Sequence, residues 1–248
     1  MPRKSKVPAK WIRNANDRRA IERGCWFDEA AGAFTCEFIE TLCRHSKGRW
    51  AKQPLKLLGW QRDDVIMPAF GWKRPDGTRR FRKIKVWVSK KNGKSTLAAA
   101  VGLYLLVGDD EQGAEIYTAA TTRHQAGIVH REAINMVMQS PDLFKRLKIN
   151  RVEGRISYEK TMSVYATMSS EPGGNDGNNP HGIIKDEIHL WKSRDTYEEL
   201  EHGDCTRLQP IDFTISTAGV YDKTSIGWAE YQHAKSVLDG SLDDIETL

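Results

Sequence analysis

Apolar and polar positions alternate along the chain with two periods. Residues 34–45 place Phe34, Phe38, Leu42 and His45 on one helical face and Glu37 and Glu40 on others, which predicts an amphipathic helix. Residues 54–72 form a compact apolar segment whose second part, 61–69, reads as a helix. The turn signal PDGT at 75–78 precedes a run of β-type residues, 81–88. Residues 96–107 are almost wholly apolar, so the helix they predict should be covered on both faces. Residues 115–120 read as a strand. Residues 122–139 read as an amphipathic helix, with Ala126, Val129, Ala133 and Met136 three and four apart. Short strands follow at 156–158 and 162–166, then the turn-rich stretch 169–182. Residues 183–187 form a strand ending in two acids; 196–201 a helix, 211–216 a strand and 226–238 a final helix. Strands alternating with helices predict an α/β fold with a mainly parallel central sheet flanked by helices.

The 248 residues suffice for one sizeable domain or two small ones. A net charge of +5 hints at an anionic partner without proving one. The cysteines, Cys25, Cys36, Cys43 and Cys205, include no CxxC pair, so neither a zinc site nor a redox motif is supported. The longest apolar run, 97–107, is too short to span a bilayer, and no signal peptide is visible. Residues 1–24 carry eight Lys and Arg against Asp17 and Glu22 and read as a peripheral basic arm, either a solvated tail or a nucleic-acid contact.

The chemistry concentrates in VWVSKKNGKST, residues 86–96. Gly93, Lys94 and Ser95 fill the last places of G-x-x-x-x-G-K-[ST], but Val88 stands where the first glycine belongs. A strand, a tight loop and a helix N-terminus would aim backbone N–H groups at phosphates. Lys94 adds a charge for the β- and γ-phosphates, and the Ser95 hydroxyl is a Mg²⁺ ligand. The nucleotide-contacting set is then Ser89, Lys90, Lys91, Asn92, Gly93, Lys94, Ser95 and Thr96. Val88 still has an N–H to offer, and Asn92 tolerates an unusual turn. The bland alternative is a basic hairpin loop, since a bare GKS arises by chance. IIKDEIHLW, 183–191, supplies what the loop lacks: Asp186 for Mg²⁺ and Glu187 to polarise water. Lys185 is unusual for a buried strand. Gln61 lies where an adenine-reading glutamine could sit, and a hydroxyl of Ser216 or Thr217 could sense the γ-phosphate. A surface glutamine and a strand-end turn are the bland accounts of these two.

Taken in order, L-x-x-W-Q, S-K-K-N-G-K-S-T, T-x-R-x-Q-A, N-P-H-G-I-I-K-D-E-I-H and S-T-A-G resemble the large terminase subunit of tailed double-stranded DNA phages, the HK97-like group, over residues 27–238. A phosphate loop without its first glycine is typical of that family. The resemblance implies a P-loop NTPase domain of ASCE, RecA-like type that uses ATP and Mg²⁺ to pump double-stranded DNA into a procapsid. It implies Lys94 and Glu187 as catalytic residues, Gln61 on the adenine side, Ser95 and Asp186 at the metal, and Ser216 and Thr217 in coupling. It also implies a portal protein and a small terminase subunit as partners, a homo-oligomeric (pentameric) ring, and a place in the host cytoplasm at the portal vertex, with no membrane. Many relatives have arginine where this chain has Lys90, which gives no planar clamp. Residues 169–182 hold no arginine, so Arg123 and Arg131 are the candidates for a finger acting on a neighbouring subunit. Residues 25–240 are expected to form the ATPase domain and 241–248 the start of a linker to a nuclease domain, so DNA cleavage is not expected here. The rivals are a helicase-like translocase, a nucleotide-dependent DNA- or capsid-binding module without efficient turnover, and a small-molecule kinase, for which no acceptor lid appears.

Overall fold

The computed structural model describes residues 7–168, 177–192, 194, 197–198, 207–219 and 222–248, with Arg123 described in its backbone only. Helices α1 (Ala15–Glu22) and α2 (Glu29–Leu42) lie upstream of the main sheet. A short antiparallel pair, β1 (Trp26–Phe27) and β2 (Trp72–Lys73), brackets α2 and α3 (Met67–Gly71). The main sheet contains β3 (Lys83–Trp87), β4 (Glu115–Ala119), β5 (Lys148–Asn150), β6 (Arg155–Tyr158), β7 (Ser163–Thr167), β8 (Pro180–Asp186) and β9 (Ile211–Ser216), in the order β3-β9-β8-β4-β7-β6-β5. Pairing is parallel from β3 to β7 and antiparallel from β7 through β6 to β5. The mainly parallel α/β sheet expected from the sequence is therefore present, extended by an antiparallel hairpin.

Helix α4 (Lys94–Val107) explains why its sequence is apolar all round. One side meets the sheet at Gly102, where a Cβ would lie 2.8 Å from the Tyr165 ring and 2.9 Å from Ile184, so only glycine permits that approach. The other side meets α2, where the Tyr104 and Phe38 rings pack edge-on at 5.4 Å. Helix α5 (Arg123–Gln139) starts from Thr122, whose hydroxyl accepts the Gln125 N–H at 3.2 Å. α6 (Pro141–Arg146) and the closing helix α7 (Ile226–Leu238) complete the described helices used below. No helix among the described residues is long and apolar enough to cross a membrane.

Several expectations need correction. The helix over 34–45 starts earlier, capped by Asp28, and buries Thr35, Cys36, Phe38 and Ile39 while Phe34 is half exposed. The helix over 61–69 begins as a π-helical turn, Gln61–Ile66, before becoming α3. The described part of the N-terminal segment is no free arm. An Asn14–Asp17 capping box starts α1, Trp11 stacks on Phe27 at 4.5 Å, and the buried Asp17 carboxylate pairs with Arg80 at 2.7 Å. Lys10, Arg13, Arg18 and Arg23 are exposed, and they hid the inward set Asn16, Asp17 and Ala20. Residues 241–248 likewise join the sheet edge: Leu248 N–H donates to Lys83 O, and Lys85 N–H to Leu248 O, each at 2.8 Å. The edge of β3 offers unpaired backbone groups, and this segment meets them. The helix read at 196–201 and most of the stretch 169–182 lie largely outside the described residues, as does Cys205.

Candidate functional site

The carboxyl ends of β3, β8 and β9 converge, with β9 lying between the other two. β3 feeds a tight loop at 88–93. Its turn is made by Lys91 (φ +70°) and Gly93 (φ +76°), both left-handed. Asn92 does not take the unusual backbone expected of it; its amide braces the loop, donating to Ser89 Oγ at 2.6 Å and Ser89 O at 3.2 Å. Val88 N–H is not a free donor either, since it bonds to Ser216 O at 3.1 Å and continues the sheet. The missing first glycine thus costs no phosphate donor, because that position is still strand. α4 starts at Lys94 from a Gly93 N-cap, with no side-chain cap and no acid in its first turn. The N–H groups of that turn have no intrahelical acceptor, and the helix dipole favours an anion there. Ser95 and Thr96 are half-buried in the same turn, and Lys90 is exposed at the loop's outer side.

Lys94 is buried, and its ammonium is ion-paired with Glu187 Oε1. Glu187 follows β8 with φ +51°, ψ +53°, while its N–H bonds to Ile215 O at 2.9 Å. A non-glycine residue in that region is a strained element. Ending the strand there turns Glu187 toward the loop instead of the opposite face. Asp186 closes β8, with Trp191 Nε1 donating to its carbonyl at 3.0 Å. Burial, and then the neighbouring Glu187 charge, push the Asp186 carboxyl up to about 6, although Lys94 pulls the other way. Asp186 Oδ1 is buried and has no hydrogen-bond partner.

The Ile188–Leu190 turn carries His189, which sequence reasoning did not single out. Its Nδ1 lies 3.0 Å from Ser216 Oγ and 3.2 Å from Glu187 Oε2; only the first contact has hydrogen-bond geometry. Burial lowers the imidazole's affinity for a proton, with Glu187 opposing the shift. Ser216 Oγ donates to Thr217 O at 3.1 Å, and both Ser216 and Thr217 are buried. Gln61 is also buried. Its Oε1 accepts Leu58 N–H at 3.0 Å, and its Nε2 reaches Asn92 O at 3.5 Å. Gln61 therefore touches the loop directly, beside a cleft of about 530 Å³ walled by His45, Trp50, Leu55, Leu58, Gly93 and Thr96. The sequence carried no signal for the wall at 45–58. That segment is tied to α5: Gln139 accepts Lys52 N–H at 2.8 Å and donates to Ser46 O at 2.9 Å, and Ser46 Oγ donates to Glu132 at 2.6 Å. Arg131 is exposed on α5, with no described contact to the loop; the Arg123 side chain lies outside the described residues.

A family model described as "Terminase large subunit, ATPase domain" matches residues 60–236. The curated large terminase subunit of Enterobacteria phage HK97 is 30% identical over 188 residues, which are 75% of this chain and 36% of that protein. The crystal structure of the HK97 bacteriophage large terminase superposes with a TM-score of 0.72 at 24% identity, covering 88% of this chain and 43% of that one. The chain thus spans well under half the length of either. The shared fold is the α/β P-loop NTPase architecture, with a mostly parallel seven-stranded sheet between helices.

Proposed function

The chain belongs to the family of terminase large-subunit ATPase domains, and from that premise we propose that it binds ATP at the 88–96 loop and hydrolyses it to drive double-stranded DNA into a procapsid. The observation that carries this reading is the Lys94–Glu187 ion pair beside an unpartnered, buried Asp186 oxygen at the mouth of a helix N-terminus. A cation and two acids stand within one buried cluster, with open N–H donors beside them.

The donor set fits a divalent cation. Asp186 Oδ1 lacks a partner, its carboxyl resists ionisation even with Lys94 nearby, and the Ser95 hydroxyl stands at the helix start. Among the described residues no cluster of three or more His, Cys, Asp or Glu has metal-site geometry, so Mg²⁺ would share its coordination with the nucleotide's own oxygens. When bound, Mg²⁺ neutralises charge on the β- and γ-phosphate oxygens.

This chain's residues then act in order. The α4 N–H groups and Lys94 take the phosphates, which draws the ammonium away from Glu187. The released Glu187 carboxylate orients a water and accepts its proton as the water oxygen bonds to the γ-phosphorus and the bridging P–O bond breaks. Gln61 offers adenine both a donor and an acceptor across the 530 Å³ cleft, and Trp50 gives a flat wall for the base. Ser216, the last residue of β9, and Thr217 just after it would pass the loss of γ-phosphate outward; β9 lies between β3, which feeds the loop, and β8, which ends in Asp186. DNA contacts would be to phosphates and would weaken with salt. The portal protein and the small terminase subunit are the proposed partners, at the portal vertex in the host cytoplasm. In a ring, Arg131 or Arg123 of a neighbouring copy is the candidate finger, worth about 10³–10⁵ in rate in other P-loop enzymes.

ATP binding and turnover on one preparation test this reading. Wild type should bind and hydrolyse ATP, Glu187→Gln should bind without turnover, and Lys94→Ala should lose phosphate affinity. A wild type with no affinity for ATP would refute the assignment.

A further inference from the structure

We propose that His189 is a positioning residue whose single Nδ1–H is shared between Ser216 and Glu187, so that nucleotide binding moves it from one to the other and thereby shifts the start of α7. The proposal rests on the nucleotide reading above.

The hydrogen positions follow from the bonding around Ser216. Ser216 Oγ spends its own proton on Thr217 O at 3.1 Å. It can therefore only accept from His189, at Nδ1 (3.0 Å) and at the backbone N–H (3.4 Å). In that arrangement Nδ1 carries the proton. Glu187 Oε2 lies 3.2 Å from that same nitrogen and has no hydrogen-bond partner of its own, while Glu187 Oε1 is held by Lys94. One N–H thus faces two acceptors, and the acceptor now left out is a buried carboxylate oxygen. A buried charged acceptor without a donor is costly, and more so once its ion pair is broken. When Lys94 turns to phosphate, Glu187 loses that partner and becomes the stronger claimant for His189.

The surroundings of His189 make a rotation there consequential. A Cβ on Gly219 would lie 2.7 Å from His189 Cβ, and one on Gly227 would lie 2.6 Å from His189 Cα. Both glycines are needed for the backbone of 217–219 and of α7 to touch this residue so closely. Gly219 also has φ +66°, a conformation suited to glycine. His189 is therefore wedged between the catalytic carboxylate, the end of β9 and the first turn of α7. A change of partner at Nδ1 is therefore passed most directly to 216–219 and 226–228, the segments packed against His189.

Hydrogen exchange on the 248-residue chain tests this without requiring turnover. Affinity for a non-hydrolysable ATP analogue is measured alongside, on wild type, His189→Ala, His189→Asn and Lys94→Ala. In wild type the analogue should alter exchange across 216–228. His189→Ala should bind within about threefold of wild type, as expected of a residue that does not touch the nucleotide, yet lose that change. His189→Asn, whose amide N–H replaces Nδ1–H, should restore it; a merely structural role would not predict rescue by Asn where Ala fails. An unchanged response in His189→Ala, equal loss in Ala and Asn, or wild type binding without any response at 216–228 would each overturn the relay while leaving the nucleotide site standing. Absence of binding in wild type, with Lys94→Ala no different, would overturn the nucleotide reading and the relay with it.

Discussion

Strand β8 carries a buried charged cluster at each end, and the two are built to opposite rules. At its start, His181 Nε2 meets Asp109 Oδ2 at 2.5 Å while Arg79 pairs with Asp109 Oδ1 and also bonds Gln209 O. Burial alone would raise the Asp109 carboxyl, but Arg79 and His181 hold it below the usual range. Both carboxylate oxygens are engaged, and what remains unpartnered is only Arg79 Nε and His181 Nδ1. At the far end of the same strand, Asp186 is pushed up to about 6 and keeps a partnerless oxygen, and Glu187 sits in a left-handed conformation. At the first end the protein's own donors satisfy the carboxylate, and only donor-side nitrogens are left over. At the second end the oxygens left over belong to carboxylates, Asp186 Oδ1 and Glu187 Oε2, which is the difference the proposed nucleotide and Mg²⁺ site rests on.

Substitutions separate the two ends. The largest effect is expected from Glu187→Gln, which should lower turnover by about 10²–10⁴ while nucleotide affinity persists; single-turnover assays with parallel binding check it. Asp109→Ala should act on the fold instead, costing about 3–5 kcal/mol because Arg79 loses its buried counter-charge and His181 its hydrogen-bond partner. Denaturant unfolding reads that loss, and the folded fraction should still bind ATP. If Asp109→Ala abolished affinity at native stability, the contrast between the two ends would fail.

Asp186→Asn should do the reverse of Asp109→Ala for the nucleotide-free protein. The folded-state pKa of about 6 lies above the usual value of 3.8, so folding takes up a proton between them. The stability linked to this group is complete below about pH 4 and is lost as pH rises through about 6. Above that, the ionised carboxylate costs on the order of 3 kcal/mol. Asp186→Asn should therefore be more stable than wild type at pH 8, by a margin that shrinks toward pH 4, and it should lose the Mg²⁺ dependence of nucleotide binding. Unfolding curves at the two pH values check the sign. The smallest expected effect is at the base side: Gln61→Ala should weaken ATP by about 1 kcal/mol and leave inorganic tripolyphosphate unchanged, as competition binding would show. Equal loss for both ligands would place Gln61 on the phosphates.

The contrast also marks what the sequence could reveal. The bounds of β9 and α7 were legible from their apolar patterns. Asp186 and Glu187 stood out only in combination with the upstream Gly93-Lys94-Ser95, and the structure brings Glu187 to Lys94. Lys185 looked out of place, yet it is a buried partner of Asp212 at 2.6 Å, lying over the Tyr197 ring at 4.2 Å. That pairing joins neighbouring strands and has no local signal. α1 was hidden because its outward arginines dominate the composition, and its anchor, the Asp17–Arg80 pair, is long-range. His189 was passed over for the same reason, since its meaning comes from Ser216 and two glycines on other segments. The wall at 45–58 depends on Glu132 and Gln139 of α5, a tertiary tether with no periodicity to betray it.

The most direct measurement is a calorimetric titration of ATP with Mg²⁺ into the 248-residue chain, with Lys94→Ala and Asp109→Ala beside it. Wild type should bind one equivalent, Lys94→Ala should bind about 10–100-fold more weakly, and folded Asp109→Ala should bind like wild type. No heat of binding in wild type, or equal affinity in Lys94→Ala, would mean that the incomplete cluster at the end of β8 does not receive a nucleotide.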